Sequence, residues 1–205
     1  MLFGSSPDGS SMRHAAAAIL CAALAACIEV PTPKSPEQSL EPKEVVTQPA
    51  MELETACIPS GMELCFDAHD NNCNGVIDEG CGLHTGILQF AIAWQEPSAD
   101  VDLSVYGPDG DLAHLDKPSP GSGLMKDRDC PGPDNQCYGQ NVENVYLSEG
   151  RPRTGRYRVV VRLEDPRDAT PPIKVRLSIR LGQRYFSSVL VLKEKAQQQS
   201  LEFSL

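Results

Sequence analysis

From Gly86 onward, apolar and polar residues alternate with a period of two. Leu88, Phe90, Ile92 and Trp94 alternate with small or polar neighbours, and Val101, Leu103 and Val105 with Asp102, Ser104 and Tyr106. Tyr157, Val159, Val161 and Leu163 are spaced by Arg156, Arg158, Val160 and Arg162. Ile173, Val175, Leu177, Ile179 and Leu181 are spaced by Lys174, Arg176, Ser178 and Arg180. Successive side chains of a strand point to opposite sides, so these runs predict antiparallel strands buried on one face. Pro108-Asp109-Gly110, Pro171-Pro172 and Gly182-Gln183 supply the turns. Further strands are expected at 111–115, 142–147, 185–192 and 200–205. About eight short strands make the fold class all-β, an antiparallel β-sandwich over residues 84–205, Ig-like or jelly-roll-like. Residues 116–141, rich in Gly, Pro and Asp, read as a long connection, a length usual for functional or disordered loops.

The chain before the sandwich has no such alternation. Eleven residues without pattern precede Met12, which makes Met12 the more natural initiator. Arg13 and His14 lead into an apolar run, Ala15 to Ala26, too short to span a bilayer. The run ends in Leu24-Ala25-Ala26-Cys27, which resembles the lipobox of bacterial lipoproteins. That resemblance implies a signal peptide over 1–26 and a lipid on Cys27 that anchors the protein to a membrane. Residue 28 is Ile and not Asp, which by the sorting rule of such lipoproteins favours the outer membrane. Either of its faces, periplasmic or external, remains open. Residues 27–56 carry Pro31, Pro33, Pro36, Pro42 and Pro49 among glutamates and predict a disordered, solvated tether.

Charge is divided unevenly. Residues 28–83 hold 11 acids and 2 bases, whereas 84–205 hold 16 and 15. No basic footprint suits nucleic acid, so no nucleic-acid partner is expected. Strands within 151–184 carry ten Lys/Arg against three acids. A solvated strand face accounts for that best, and a contact with an anionic glycan or lipopolysaccharide is the sharper alternative.

Between the tether and the sandwich, Cys57, Cys65, Cys73 and Cys81 recur at an even spacing of eight. Seven-residue gaps do not match structural zinc sites. With Cys130 and Cys137 in the long connection, six cysteines remain in the mature chain, which suits three disulfides in an oxidising compartment. Cys130 and Cys137 are a natural pair. The other four allow three connectivities, of which Cys65–Cys81 with Cys57–Cys73 is preferred because it closes the loop between them. That loop runs Asp70-Asn71-Asn72-Cys73-Asn74-Gly75-Val76-Ile77-Asp78-Glu79. Side-chain oxygens fall at positions 1, 3 and 5, a glycine at 6, the Val76 carbonyl at 7 and Asp78 at 9, the first three quarters of an EF-hand calcium loop. Position 12 is Cys81, so Glu79 has to replace the usual glutamate, and no helices flank the loop. The metal-ligand candidates are Asp70, Asn72, Asn74, Val76, Asp78 and Glu79. The plain alternative is a metal-free Asx-rich turn.

Glu63 to Cys81 resembles the MopE-like metal-binding motif of bacterial surface proteins and lipoproteins, departing from it at Phe66, Ala68 and His69. Asn72 and Asn74 stand where aspartates are usual. Fewer negative ligands imply weak binding of Ca²⁺, in the extracellular range of roughly 10⁻⁴–10⁻³ M. The sandwich segment resembles the YfaP-like (DUF2135) β-domain. The likeness is carried by Ala99-Asp100-Val101-Asp102-Leu103, Gly107-Pro108-Asp109-Gly110, Tyr138-Gly139, Glu143-Asn144-Val145 and Thr154-Gly155-Arg156-Tyr157-Arg158-Val159. It implies an exported β-sandwich without a defined activity. Gln140, Asn141 and Val142 interrupt the family's usual run before Glu143.

Asp100 and Asp102 lie two apart on one strand and point away from Val101 and Leu103. Together with Glu143 and Asn144 they form a candidate second metal site. Pairing with arginines from 156–162 is the alternative. No pattern pairs His14, His69, His84 or His114 with a nucleophile, and Gly121-Ser122-Gly123 is a loop rather than a nucleophile elbow. The expected function is therefore a non-catalytic, lipid-anchored envelope protein whose sandwich engages an envelope protein or glycan. A glycan-binding module is the alternative, favoured by any row of exposed aromatics near 116–141, and a hydrolase comes last.

Overall fold

The computed structural model describes residues 40–132 and 137–205. The signal segment 1–26, Cys27 and the tether up to residue 39 lie outside the described residues. Ten strands follow in order: β1 Val45–Gln48, β2 Leu88–Trp94, β3 Asp100–Tyr106, β4 His114–Leu115, β5 Met125–Asp129, β6 Val142–Leu147, β7 Arg156–Asp165, β8 Ile173–Leu181, β9 Arg184–Leu192 and β10 Gln198–Ser204. They form a four-stranded sheet, β1-β10-β7-β3, and a six-stranded sheet, β4-β5-β6-β2-β8-β9. Every pairing is antiparallel except β4 with β5.

The sandwich core lies between the sheets, where the alternating apolar positions meet. Phe90 and Ile92 of β2, Leu177 of β8, Val161 of β7 and Phe203 of β10 are all buried there. The Tyr157 and Phe203 rings stack at 5.2 Å. The Tyr157 hydroxyl donates to the Arg153 carbonyl at 2.8 Å, so a large side chain is buried without an orphaned polar tip. Burial pushes that phenol up to about 12.

Three features depart from the sequence-based expectation. First, the tether ends earlier than residue 56. From Leu40 the chain lies on the sandwich: β1 pairs with β10, and Glu54 exchanges backbone hydrogen bonds with Ser187 at 2.8 and 2.9 Å. Both contacts cover backbone groups that sheet edges leave open. Second, the 116–141 connection contains β5, while the strand expected at 111–115 shrinks to the two residues of β4. Third, β2 and β6 are buried on both faces rather than one. The outward positions of β2 are Gln89, Ala91 and Ala93, small or amide side chains that leave room for a covering layer. Residues 57–83 supply it, with Ala68 and Ile77 buried against Ala91, Ala93 and Tyr185.

Candidate metal centres

The covering segment is cross-linked by Cys57–Cys73 and Cys65–Cys81, and the long connection by Cys130–Cys137. Polar contacts fix it to the sheet. Gln89 Nε2 donates to the Ile77 carbonyl at 3.0 Å and to Asn144 Oδ1 at 3.1 Å. Ser178 Oγ donates to the Ala68 carbonyl at 2.5 Å, and His69 Nδ1 lies 2.9 Å from the Tyr185 hydroxyl. Buried polar groups on this face of the sheet thus find partners in the segment that covers them.

Within it, the loop has the winding that its spacing predicts. The Asp70 carboxylate accepts the amides of Asn74 at 3.1 Å and Gly75 at 2.8 Å. Asn72 Oδ1 accepts the Asn74 amide and Asn74 Oδ1 the Val76 amide, both at 2.9 Å. Gly75 takes a φ of +88°, a left-handed conformation that a side chain would strain. Glu79 folds across the mouth of the loop. Its Oε1 receives Asn72 Nδ2 and Asn74 Nδ2, each at 2.5 Å. Its Oε2 is buried and has no hydrogen-bond partner.

Asp78 does not stand where loop position 9 would put a ligand. Its carboxylate turns inward, with Oδ1 accepting the amides of Phe66 at 2.7 Å and Asp67 at 3.3 Å, and Oδ2 that of Ala68 at 3.1 Å. Phe66 and Ala68 are held in the left-handed region, at φ 66° and 51°. Full burial raises this carboxyl to about 7, against the lowering effect of the amide bonds. Glu63, not singled out from the sequence, clamps the loop from outside. Its Oε1 accepts the Asp78 amide at 2.9 Å and its Oε2 the Asn71 amide at 3.1 Å. Burial, with the charge of Glu79, raises the Glu63 carboxyl. No spacing rule marks such a clamp, because its partners are set by how the cross-linked chain winds.

The residues present fit a hard cation of low charge demand. The orphaned Glu79 oxygen wants a positive partner, and Asp70, Glu79 and the amide oxygens of Asn72 and Asn74 surround the same turn. Val76 contributes its amide to the turn, and its carbonyl is the remaining oxygen expected at position 7. With Asp78 directed elsewhere, Asp70 and Glu79 are the only carboxylates of the expected ligand set left to face a cation, and a cation with so few negative ligands would be held weakly.

The second candidate site is rearranged. Asp102 and Glu143 do meet, and Asp129 joins them, with carboxylate oxygens within 4.8 Å of one another. Asn144 cannot share the site, because adjacent strand residues face opposite ways. It bonds instead to the His84 carbonyl at 2.8 Å and Asp127 at 2.7 Å. Asp100, beyond a bulge after it in β3, pairs with Arg167 at 2.7 Å. A cation already sits among the three acids: Lys126 Nζ is 2.8 Å from both Asp129 and Glu143. Glu143 also accepts the Leu103 amide at 2.6 Å, tying β6 to the edge of the opposite sheet. Burial raises Glu143 well above the usual carboxylate range and raises Asp102 too. Burial alone would lower Lys126, yet Glu143 and Asp129 hold it above its usual value. Burial also acts to raise Asp129, but its hydrogen bond with Glu143 and the charge of Lys126 bring it below. The cation among the three acids is a lysine from β5, a strand the sequence did not reveal, whereas Asp100 takes an arginine from beyond the expected 156–162.

Tyr138 stands 81 % exposed in the long connection, a single aromatic rather than a row. No described helix is long and apolar enough to cross a membrane. Comparison with protein-family models, curated proteins and solved structures finds no match.

Proposed function

We propose that this chain is a non-catalytic, lipid-anchored envelope protein of the outer membrane, a YfaP-like sandwich carrying a MopE-like calcium loop as its contact element. The buried, partnerless Glu79 oxygen beside Asp70 carries the metal reading. A bound cation would neutralise two carboxylates and lock the turn, so calcium acts as a structural clasp rather than a reagent. Ile58, Met62 and Leu64 stand 79, 87 and 62 % exposed on the same cross-linked segment. Three large apolar side chains exposed within one short cross-linked segment suit a protein contact surface. An envelope protein is therefore the favoured partner. A glycan is second, since one exposed tyrosine makes a poor stacking platform.

The test is protease mapping of the oxidised chain with and without calcium. Binding to the native state stabilises it by RT ln(1 + [L]/Kd), about 2.7 kcal/mol at a hundredfold excess over Kd. Cleavage within 57–83 should slow as calcium rises to about 10 mM, above the weak extracellular range. Unchanged cleavage kinetics would contradict the reading.

A further inference from the structure

A cleft of about 480 Å³ opens where residues 57–83 end on the outer face of the six-stranded sheet. Its floor follows from strand register. Arg176 lies between Ala93 of β2 and Val189 of β9, so a short side chain and a branched one leave a hollow on either side of the guanidinium. Lys174, two residues earlier on β8, faces the same way. Neither cation has a hydrogen-bond or ion-pair partner among the described residues. Glu96, just beyond β2, lines the cleft too, and its Oε2 is buried without a hydrogen-bond partner. Asp67 supplies a second carboxylate from the cross-linked segment.

Two cations without acceptors in the protein and a carboxylate without a donor share one hollow, yet they do not satisfy each other. Something that carries both complements would satisfy them together. A polyanion does not fit, because Asp67 and Glu96 would repel its further charges. A simple cation would meet Lys174 and Arg176. We propose that this cleft binds a small zwitterion of the amino-acid or short-peptide class, its carboxylate on Arg176 and Lys174 and its ammonium on Glu96. Each end of the ligand meets a charge of opposite sign, so each contributes selectivity as well as affinity. The site does not rest on the calcium reading, since all but Asp67 of its charged groups belong to the sandwich.

The Trp94 ring packs in the sandwich core, so binding is read by isothermal titration calorimetry. The oxidised chain is titrated with L-alanyl-L-alanine, its N-acetyl form, its C-terminal amide and sodium sulfate, each to about 10 mM, beyond the millimolar affinity that marks a weak site. The free dipeptide should bind, and blocking either end should weaken binding at least tenfold. Arg176→Gln combined with Lys174→Gln should abolish the advantage of the free carboxylate while keeping that of the free amine, and Glu96→Gln should do the reverse. Circular dichroism checks that both near-isosteric variants fold. No response to the dipeptide overturns the proposal, as do blocked forms or sulfate binding within twofold of it. Both variants binding like the unmodified chain would overturn it equally.

Discussion

Asp78 shows how far a single side chain can serve two ends. It binds three amides in the interior of the cross-linked segment, so Asp78→Asn, which replaces an acceptor oxygen by a donor, should cost about 1–3 kcal/mol. Its carboxyl is raised in the folded state from 3.8 to about 7. Between those values the native state keeps a proton that the unfolded chain has lost, so stability is highest on the acid side and falls as pH rises through that window, by a few kcal/mol at most. Glu143, also raised, adds a decline of the same sign. Thermal melts of the calcium-free chain between about pH 4 and 8 should show this slope, and Asp78→Asn should reduce it to the part that Glu143, Glu63 and Asp102 keep. Lys126 sits at the other sensitive point. Lys126→Met leaves buried carboxylates without their counter-charge and should cost about 3–5 kcal/mol, read from denaturant midpoints. With Lys126 in place, Asp102→Asn should leave protease sensitivity of 116–141 unchanged by calcium.

At the scale of elements, the cross-linked segment is a lid on β2. Each of its disulfides spans a separation of 16 residues, worth about 3 kcal/mol through the unfolded chain. Reduction should release 57–83 to protease while β2 to β10 resist, because the sandwich core lies on the other side of β2. Simultaneous cleavage throughout would show that the lid and sandwich are inseparable. Why some elements were legible and others not follows from their burial. The strands β7, β8 and β10 bury one face, and their period-two pattern announces them; β6 was placed by its bounds as well. The strand β5, Met-Lys-Asp-Arg-Asp, is half-buried throughout and has no apolar face to betray it. Nor does β2 read as doubly buried, because Gln89 looks like a solvent-facing residue until Ile77 and Asn144 are found against it. For the loop, spacing located the Asx turns of Asp70, Asn72 and Asn74, which are local. It misplaced Asp78 and missed Glu63, whose partners lie 8 to 15 residues away across disulfides.

At the scale of the whole molecule, charge and the proposed lipid anchor bear on how the parts would be presented. Acidity is concentrated in residues 28–83, and the sandwich is close to neutral. If the cross-linked segment is the contact element, as proposed, its acidity suits a partner with a basic rim around an apolar socket. Stable attachment to a membrane needs more than one acyl chain, as bacterial lipoproteins carry on the cysteine. Cys27→Ser should therefore yield an exported soluble protein. A variant that still pellets with membranes at high salt would contradict anchoring at that residue.

The central claim is that Asp70 and Glu79 hold a cation. Calorimetric titration of the oxidised full chain with calcium, beside the Glu79→Gln variant, tests it most directly. One site per chain is expected, with a Kd of roughly 10⁻⁴–10⁻³ M that weakens at least tenfold in Glu79→Gln. Absence of binding heat together with an unchanged melting temperature at saturating calcium, or equal affinity in the two proteins, would contradict it.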